Sequence, residues 1–180
     1  MRIAVCGSHA TGKSTLVAEL AARLPTYIAV EEPYYALLAQ GHPFADRPSV
    51  DDLELLIARA CESLTQTTAT RVLFDRTPID YWAYLFALHR DRTLERPDLF
   101  REVATSMASL DLAVFVPIEQ PDRIDVDASE GLRLRRRVDA LIREFLVEDT
   151  LGLGVPTLEV AGTGAQRARQ VLERLEVHLQ

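Results

Sequence analysis

The chain has 180 residues, of which 48% are apolar and 26% are charged, as is ordinary for a soluble globular protein. Its length suits one compact α/β domain, which we expect to span residues 1–180. The net charge of −7 argues against general nucleic-acid binding, because such binding needs a broad basic surface. No apolar run approaches the roughly 18 residues of a membrane helix, and two cysteines provide no disulfide framework. We therefore expect a cytoplasmic protein without nucleic-acid or membrane partners. The sequence leaves open whether the protein forms a homodimer.

Short apolar strands alternate with amphipathic helices along the chain, which predicts a parallel sheet with crossover helices. The five predicted strands cover residues 2–6, 27–31, 72–75, 112–116 and 157–160. About seven helices are expected, and the clearest cover residues 12–24, 50–70, 97–110 and 129–148, with others starting at Pro78 and after Thr163. Capping patterns support three of the helix starts, namely Ser49 with Asp52, Thr77 with Asp80, and Thr163 with Gln166. The least regular stretches, 41–48 and 117–130, are expected to be mobile loops.

Residues 7–14 match the phosphate-binding pattern G-x-x-x-x-G-K-[ST], which is called a P-loop. The motif follows a predicted strand and opens a predicted helix, as it must in order to function. Its glycines allow tight turns, so that successive N–H groups and the helix N-terminus face an anion. The sequence therefore predicts binding of ATP with Mg²⁺, and the residues expected to contact them are Gly7, Ser8, His9, Ala10, Thr11, Gly12, Lys13, Ser14 and Thr15. Within this set, Lys13 is expected on the β- and γ-phosphates, Ser14 on Mg²⁺ and Thr15 on the α-phosphate.

Lys13 is the single lysine of a chain that has 19 arginines. Arginine is a wide planar fork, whereas lysine is a compact charge on a thin stem. A lysine kept only within the P-loop indicates a site that must place one ammonium between two phosphates.

The third predicted strand ends at Asp75, which Arg76 and Thr77 follow. A carboxylate at the end of the strand beside the P-loop strand is placed to support Mg²⁺, often through water. Arg76 would suit a phosphate contact on the acceptor side. The alternative for Asp75 is an ordinary loop residue.

Two adjacent carboxylates, Glu31 and Glu32, end the second predicted strand. Open α/β sheets bind ligands at this end of their strands, where one carboxylate could orient or deprotonate an acceptor hydroxyl. Neighbouring side chains of a strand point to opposite faces, so only one should face the site, and Glu32 is slightly favoured. The alternative is a pair of solvated charges.

Four arginines, at positions 133, 135, 136 and 137, form the strongest basic patch in this acidic chain. Over a P-loop, such a patch could clamp the transferring phosphoryl group and exclude water as part of a mobile lid around residues 117–137. Helical spacing places Arg133, Arg136 and Arg137 on one face and Arg135 on another. The alternative is a solvated helix face whose arginines pair with Asp127, Glu130 and Asp139.

These motifs resemble those of the P-loop kinases of small metabolites. The similarity is greatest to deoxynucleoside, thymidylate and ribosylnicotinamide kinases and to the AAA-type ATP-binding proteins related to them. It is carried by the P-loop, the Glu31-Glu32-Pro33 step, the segment from Phe74 to Asp80 with Tyr84, and the arginine-rich segment.

The resemblance implies a three-layer P-loop NTPase fold with a five-stranded parallel sheet in the order 2-3-1-4-5. It implies a Glu–Pro carboxylate near the acceptor hydroxyl, magnesium and phosphate contacts from the Asp-Arg-Thr step, and an arginine-rich lid that closes on ATP. Arg133 and Arg137 are our candidates for its phosphate contacts, and the sequence leaves open which arginines make them. The loop after strand five, with Gly162 and Thr163, would lie beside the adenine. Five side chains could line an acceptor pocket: Tyr34, Tyr35, Gln66, Trp82 and Tyr84.

The function expected on these grounds is phosphoryl transfer from Mg-ATP to a small-molecule acceptor, most simply a nucleoside or nucleotide. A regulatory ATP-binding module or an ATPase without such an acceptor is the alternative. A small GTPase is not expected, because its guanine-binding N-K-x-D pattern would need a second lysine.

Overall fold

A computed structural model of the chain describes residues 1–45, 49–122 and 131–177. Within these ranges five parallel strands form one sheet in the order β2-β3-β1-β4-β5, which confirms the predicted topology. The strands are β1 (Arg2–Cys6), β2 (Ile28–Val30), β3 (Val72–Asp75), β4 (Leu112–Phe115) and β5 (Thr157–Glu159). Because β1 is the central strand, the loop that follows it leaves the middle of the sheet at its carboxyl edge.

Eight helices connect or flank the strands within the described residues. They are α1 (Lys13–Arg23), α2 (Pro33–Ala39), α3 (Val50–Gln66), α4 (Pro78–Leu88), α5 (Arg90–Leu94), α6 (Pro97–Met107), α7 (Leu132–Leu146) and α8 (Gly164–Val177). The short helices α2 and α5 were not predicted. The predicted lid and the loop at 41–48 fall partly outside the described residues, as do Asp127, Ser129 and Glu130.

The alternating side chains of β1 separate the core into two halves, which makes the fold three-layered. Ile3 and Val5 face α1 and α8, whereas Ala4 and Cys6 face the helices on the other side. That second layer contains α3, α4, α6 and α7, which pack on one another as well as on the sheet. Both faces of the central strands are thus apolar, as expected for a parallel sheet.

Two of the predicted helix caps form as expected, and one of them, at Asp80, contacts the P-loop. Ser49 accepts a hydrogen bond from the N–H of Asp52 at 3.0 Å and begins α3. The carboxylate of Asp80 accepts hydrogen bonds from the N–H and hydroxyl groups of Thr77 at 2.9 and 2.8 Å and fixes the start of α4. No helix in the described part of the chain is both long and apolar enough to cross a bilayer.

Candidate active site

The P-loop curls around the N-terminus of α1 at the carboxyl edge of the sheet. Gly7 has φ +152°, and a Cβ placed there would lie 2.5 Å from the carbonyl oxygen of Val116. Gly12 has φ +86°, in the left-handed region, and is the N-cap of α1. Only glycine meets both demands without strain, so the two glycines of the motif fix the path of this loop.

Four backbone N–H groups of the P-loop have no hydrogen-bond acceptor in the part of the chain that the structure describes. Among the described residues, none accepts a hydrogen bond from the N–H of Ser8, Ala10, Thr11 or Gly12. The buried hydroxyl of Ser8 likewise lacks a described partner. Together with the positive end of the α1 dipole, these groups make a site for an anion.

Lys13 is buried beneath the loop, where its Nζ donates a hydrogen bond to the Ser8 carbonyl. Burial is the largest cause that lowers the pKa of Lys13, to about 7, and the positive charge of Arg76 adds to it. Nearby carboxylates, of which Asp80 is the strongest, act in the opposite direction. Nearby carboxylates therefore offset the positive charge of the Lys13 ammonium only in part, and an anion bound in the loop would stabilise the charged form.

Asp75 and Ser14, the two residues predicted to hold a metal, are brought together at the end of β3. Burial raises the pKa of Asp75, while a hydrogen bond with the Ser14 side chain acts to lower it. The buried Oδ1 of Asp75 has no hydrogen-bond partner among the described residues. Those residues contain no cluster of three His, Cys, Asp or Glu side chains suited to a metal. A cation at this pair would therefore take its other ligands from phosphate and water.

Arg76 lies between the P-loop and the neighbouring cleft. Its Nη1 donates to the Gly7 carbonyl at 3.1 Å, and its Nε donates to Oε1 of Glu32 at 2.6 Å. Burial acts to lower the pKa of Arg76, but Glu32 and nearby aromatic and acidic groups outweigh it and raise that pKa. Arg76 is therefore a permanent positive charge, held at the boundary between two sites.

Of the two strand-two carboxylates, Glu32 faces this boundary and Glu31 does not. Oε1 of Glu32 also accepts a hydrogen bond from the Tyr81 hydroxyl at 3.3 Å, and no described residue bonds its Oε2. Glu31 is exposed and borders a separate groove, which Gln66 also lines. The preference for Glu32 agrees with this geometry, whereas Gln66 lies away from the cleft that it was predicted to line.

The cleft beside Glu32 has a volume of about 220 Å³. Its walls are mainly aromatic and apolar, and they are formed by His9, Glu32, Tyr34, Phe44, Ala45, Asp52, Leu53, Leu56, Arg76, Tyr81 and Tyr84. The rings of Tyr34 and Phe44 stack with centroids 4.4 Å apart. We call this cavity the tyrosine cleft.

Only some of the aromatic residues predicted for an acceptor pocket line the tyrosine cleft. Tyr34 and Tyr84 do so, and the Tyr84 hydroxyl also accepts a hydrogen bond from the N–H of His9 at 2.9 Å. Trp82 instead packs in the core against Phe100, with ring centroids 5.2 Å apart, and Tyr35 is exposed. The prediction for Trp82 was wrong because α4 is buried on nearly all sides, so that most of its residues face core rather than cleft.

A larger groove of about 610 Å³ runs along α7 beside residues 118–122. No P-loop residue lines it, and five of its ten lining residues are acidic. Such walls would repel a phosphate, so the groove is a poorer candidate for the site than the P-loop and the tyrosine cleft.

The arginine patch meets the P-loop through a residue other than those predicted. Arg133, Arg136 and Arg137 are exposed, and no hydrogen bond joins Arg133 or Arg137 to a described residue of the P-loop. Arg135 is only 1% exposed, and it donates to the carbonyls of His9 and Ala10 at 3.0 and 2.9 Å. A signal was present in the sequence, because helical spacing places Arg135 on the same stripe as buried apolar residues of α7, Val138 and Ile142.

The loop after β5, which the resemblance implied beside the adenine, is joined to the P-loop by Arg167 and Glu119. Arg167 donates to the Thr11 carbonyl at 2.7 Å and to Glu119 at 2.9 Å, and the same Glu119 oxygen accepts the N–H of Gly162 at 2.6 Å. Thr163 begins α8 through reciprocal hydrogen bonds with Gln166. Gly162 and Thr163 are thus connected to the phosphate loop through the Glu119–Arg167 pair.

Asp80 is a site residue that the sequence indicated only as a helix cap. It is fully buried, and its Oδ1 accepts a hydrogen bond from the N–H of Gly7 at 2.7 Å. Its other oxygen holds Thr77, so one carboxylate joins the first residue of the P-loop to the start of α4.

Asp80→Asn is expected to lower the free energy of unfolding by about 2–4 kcal/mol, because one of the N–H groups would then face an amide NH₂ and the buried Arg76 would lose a nearby negative charge. Urea unfolding followed by circular dichroism measures this loss. Asp98→Asn, which changes an exposed carboxylate that bonds Arg96, is the control and should lower the stability much less. Equal stabilities of the two variants would show that Asp80 does not brace the loop.

Three solved structures with a similar fold are deoxyadenosine kinase, NadR protein and thymidylate kinase. Deoxyadenosine kinase from M. mycoides with bound dATP has a TM-score of 0.66 at 15% identity, over 98% of this chain and 100% of that chain. NadR protein in complex with NR has a TM-score of 0.72 at 21% identity, over 97% of this chain and 48% of that chain. Thymidylate kinase from Candida albicans has a TM-score of 0.63 at 17% identity, over 98% and 91%.

At these identities the similarity establishes the fold, and it confirms the predicted likeness to P-loop kinases at that level. No curated protein sequence matches the chain. A sequence profile of one family, described as an AAA domain, matches residues 2–167, which is most of the chain and includes the P-loop, Glu32, Asp75 and Arg135. The chain therefore belongs to this AAA domain family.

Proposed function

We propose that the protein transfers the terminal phosphoryl group of ATP to a hydroxyl group of a small nucleoside-like acceptor. The observation that carries this proposal is the position of Arg76, which bonds both the P-loop carbonyl of Gly7 and the carboxylate of Glu32. The anion site and the tyrosine cleft therefore share a wall. Two adjacent sites that share a cation and a carboxylate are what transfer between two bound substrates requires.

On the donor side, the free N–H groups of residues 7–14 would bind the phosphates, and Lys13 would leave the Ser8 carbonyl to meet them. Ser14 and Asp75 would hold Mg²⁺, since a hydroxyl and a buried carboxylate oxygen without a partner suit this cation. Mg²⁺ bound there would offset charge that develops on the phosphates. Thr15 would contact the α-phosphate, and Gly162 with Thr163 would border the adenine.

The proposal gives Arg133 and Arg137 no role in the conformation described, because both side chains are exposed on α7. A phosphate contact by either one would require α7 to move. The backbone N–H of His9 donates to the Tyr84 hydroxyl, so the proposal gives this N–H no phosphate contact.

On the acceptor side, Glu32 would accept the proton of the attacking hydroxyl group. Its Oε1 is held by Arg76 and Tyr81, which leaves Oε2 for this hydroxyl. As the acceptor oxygen bonds to the γ-phosphorus, the bond from that phosphorus to the β,γ-bridging oxygen breaks, the proton goes to Glu32, and ADP leaves. Arg76 would offset negative charge on the transferred group.

The dimensions of the tyrosine cleft support a small acceptor with a planar ring. Its volume of about 220 Å³ is below the roughly 300–1,000 Å³ of typical drug-sized ligand sites, so it suits one small molecule. The stacked rings of Tyr34 and Phe44 offer a flat face, and aromatic rings bind planar bases by stacking. The likeness to kinases of deoxyadenosine and thymidylate favours the same class.

The test is ADP formation by the purified protein with Mg-ATP and, one at a time, a panel of nucleosides and nucleotides. At least one acceptor should accelerate ADP formation over the rate with water and yield its phosphorylated product, and Lys13→Met should abolish both. ADP formation that no acceptor accelerates would indicate an ATPase, and tight ATP binding without turnover would indicate a binding module. Either result would contradict the proposal.

A further inference from the structure

Five backbone carbonyl groups of the P-loop are bonded by cationic side chains, one from Lys13 of the loop itself and three from arginines elsewhere in the chain. The bonds run from Arg76 to Gly7 at 3.1 Å, from Lys13 to Ser8, from Arg135 to His9 at 3.0 Å and Ala10 at 2.9 Å, and from Arg167 to Thr11 at 2.7 Å. Five consecutive carbonyls are thus covered. Only the last carbonyl of the turn, that of Gly12, enters an ordinary helical hydrogen bond.

Each covered carbonyl belongs to the same planar peptide unit as the N–H of the following residue. In a trans peptide these two groups point in opposite directions. The peptide units whose carbonyls Arg135 and Arg167 hold therefore carry the N–H groups of Ala10, Thr11 and Gly12. These are among the N–H groups that no described residue bonds. The arginines therefore bond the carbonyl oxygens of the same peptide units whose N–H groups could bind an anion.

We propose that Arg135 and Arg167 are positioning residues, which keep these peptide planes turned so that their N–H groups face the phosphates. A cation on the carbonyl also polarises the peptide and strengthens the N–H as a donor. Neither side chain needs to touch the nucleotide to do this. The inference rests on the proposed function only in requiring that the P-loop bind a polyphosphate.

The burial of Arg135 supports a specific task rather than surface pairing. A guanidinium that is 1% exposed is costly to keep unless its donors are occupied. Besides the two carbonyls, Arg135 bonds the carboxylate of Asp122, with Nη2 to Oδ1 at 3.3 Å. Asp122 balances the charge of the guanidinium, which bonds the carbonyls of two consecutive residues.

Arg167 is fixed in a similar way from the other side of the loop. Glu119 accepts from its Nη2 at 2.9 Å while it also accepts from the N–H of Gly162. The Thr11 carbonyl is therefore held by an arginine whose own partner belongs to the segment after β4. Two carboxylates, Asp122 and Glu119, thus orient two arginines, and these orient three peptide units.

The experiment measures the binding of Mg²⁺-tripolyphosphate, a probe without base or acceptor, by isothermal titration calorimetry. Arg135→Ala should weaken its affinity by about 10- to 100-fold, as is typical when residues that support an ion site from behind are lost. Arg135→Lys should show an intermediate loss, because one ammonium cannot bond both carbonyls in the geometry of a fork. Added guanidinium ion should restore part of the affinity of Arg135→Ala, which a general loss of stability would not allow. Arg167→Ala should also weaken the affinity for Mg²⁺-tripolyphosphate.

The control is Arg143→Ala, on the same helix, which removes an arginine that pairs with Glu159 and does not contact the P-loop. Melting temperatures show which variants are folded, and Arg135→Lys keeps the test decisive if Arg135→Ala does not fold.

The proposal would be overturned if folded variants at position 135 bound tripolyphosphate as tightly as wild type, or no more weakly than Arg143→Ala. Failed transfer to every acceptor with normal tripolyphosphate binding would overturn only the proposed kinase function, and a wild-type protein that does not bind tripolyphosphate would overturn both.

Discussion

Lys13→Met is expected to reduce kcat/KM for phosphoryl transfer by about 100- to 1,000-fold, which is the usual loss when one donor to a developing negative charge is removed. Methionine keeps the length of the stem and its packing but cannot donate to the phosphates. Steady-state kinetics with Mg-ATP and the acceptor found in the screen measure the effect. Activity within about threefold of wild type would mean that Lys13 does not contact the transferred group.

The same substitution is expected to stabilise the protein without ligand. In the folded state the pKa of Lys13 is lowered to about 7, chiefly by burial, whereas in the unfolded chain it is near its ordinary value of 10.5. Between these values the unfolded state binds more protons, so the stability of the wild type should rise with pH from about 7. Above about pH 9 the raised pKa values of Tyr81 and Tyr84, both caused mainly by burial, oppose this trend.

Urea unfolding at pH 7, 8 and 9 tests this linkage. Lys13→Met should be more stable than wild type at pH 7, and the difference should narrow as the pH rises. At pH 8 most of Lys13 would be neutral, so binding of a polyphosphate should take up protons. Calorimetry in two buffers with different ionisation enthalpies should show this uptake in the wild type and not in the variant. If the difference in free energy of unfolding between Lys13→Met and wild type did not change with pH, the pKa of Lys13 would not be lowered in the folded protein.

The sequence was sufficient to predict the sheet and its order because each strand is a short apolar run that ends in a turn. The ends of the strands were harder to place. Proline is unfavourable within a strand, yet Pro33 is the first residue of α2, since proline is well tolerated at the first position of a helix. A residue with both properties does not show which element follows, and the helix was missed.

The choice between Glu31 and Glu32 illustrates the same limit. Period-two alternation holds only within a strand, and β2 already ends at Val30. Glu32 is the N-cap of α2, so its direction depends on the bend between strand and helix rather than on the strand. Of the two, Glu32 lines the tyrosine cleft, and the reason lies in this bend rather than in alternation along a strand.

Arg135 and Asp80 could not be placed because their partners are backbone atoms. Neither the carbonyls of His9 and Ala10 nor the N–H of Gly7 has a signature in the sequence. What the sequence does contain is a conflict, a charged residue on the apolar stripe of a helix. A charged residue on an apolar stripe near a predicted anion site indicates a buried charge with a function. In the structure, Arg135 is this residue, and its acceptors are carbonyl groups of the P-loop.

Glu32→Gln separates the acceptor chemistry from the donor site. The amide oxygen could still accept hydrogen bonds from Arg76 and Tyr81, so the wall of the cleft should remain in place. Since an amide cannot take the proton of the attacking hydroxyl, kcat should fall by about 100- to 10,000-fold. The affinity for Mg²⁺-tripolyphosphate should change little, because Glu32 contacts no described N–H group of the P-loop.

The neighbouring carboxylate decides whether this loss is specific. Glu31→Gln changes the same functional group one residue earlier in the chain, on an exposed side chain directly after β2. It should retain kcat to within about threefold, in keeping with the small effects of most surface substitutions. The experiment measures kcat and the affinity for tripolyphosphate of both variants side by side. Of these four values, only kcat of Glu32→Gln should differ strongly from wild type.

If Glu31→Gln lost activity instead, the acceptor would bind on the side of the chain where Glu31 lies, and the tyrosine cleft would not be the acceptor site. If both variants kept full activity, no carboxylate of this pair would take the proton, and the hydroxyl would be activated by its position next to the phosphates alone.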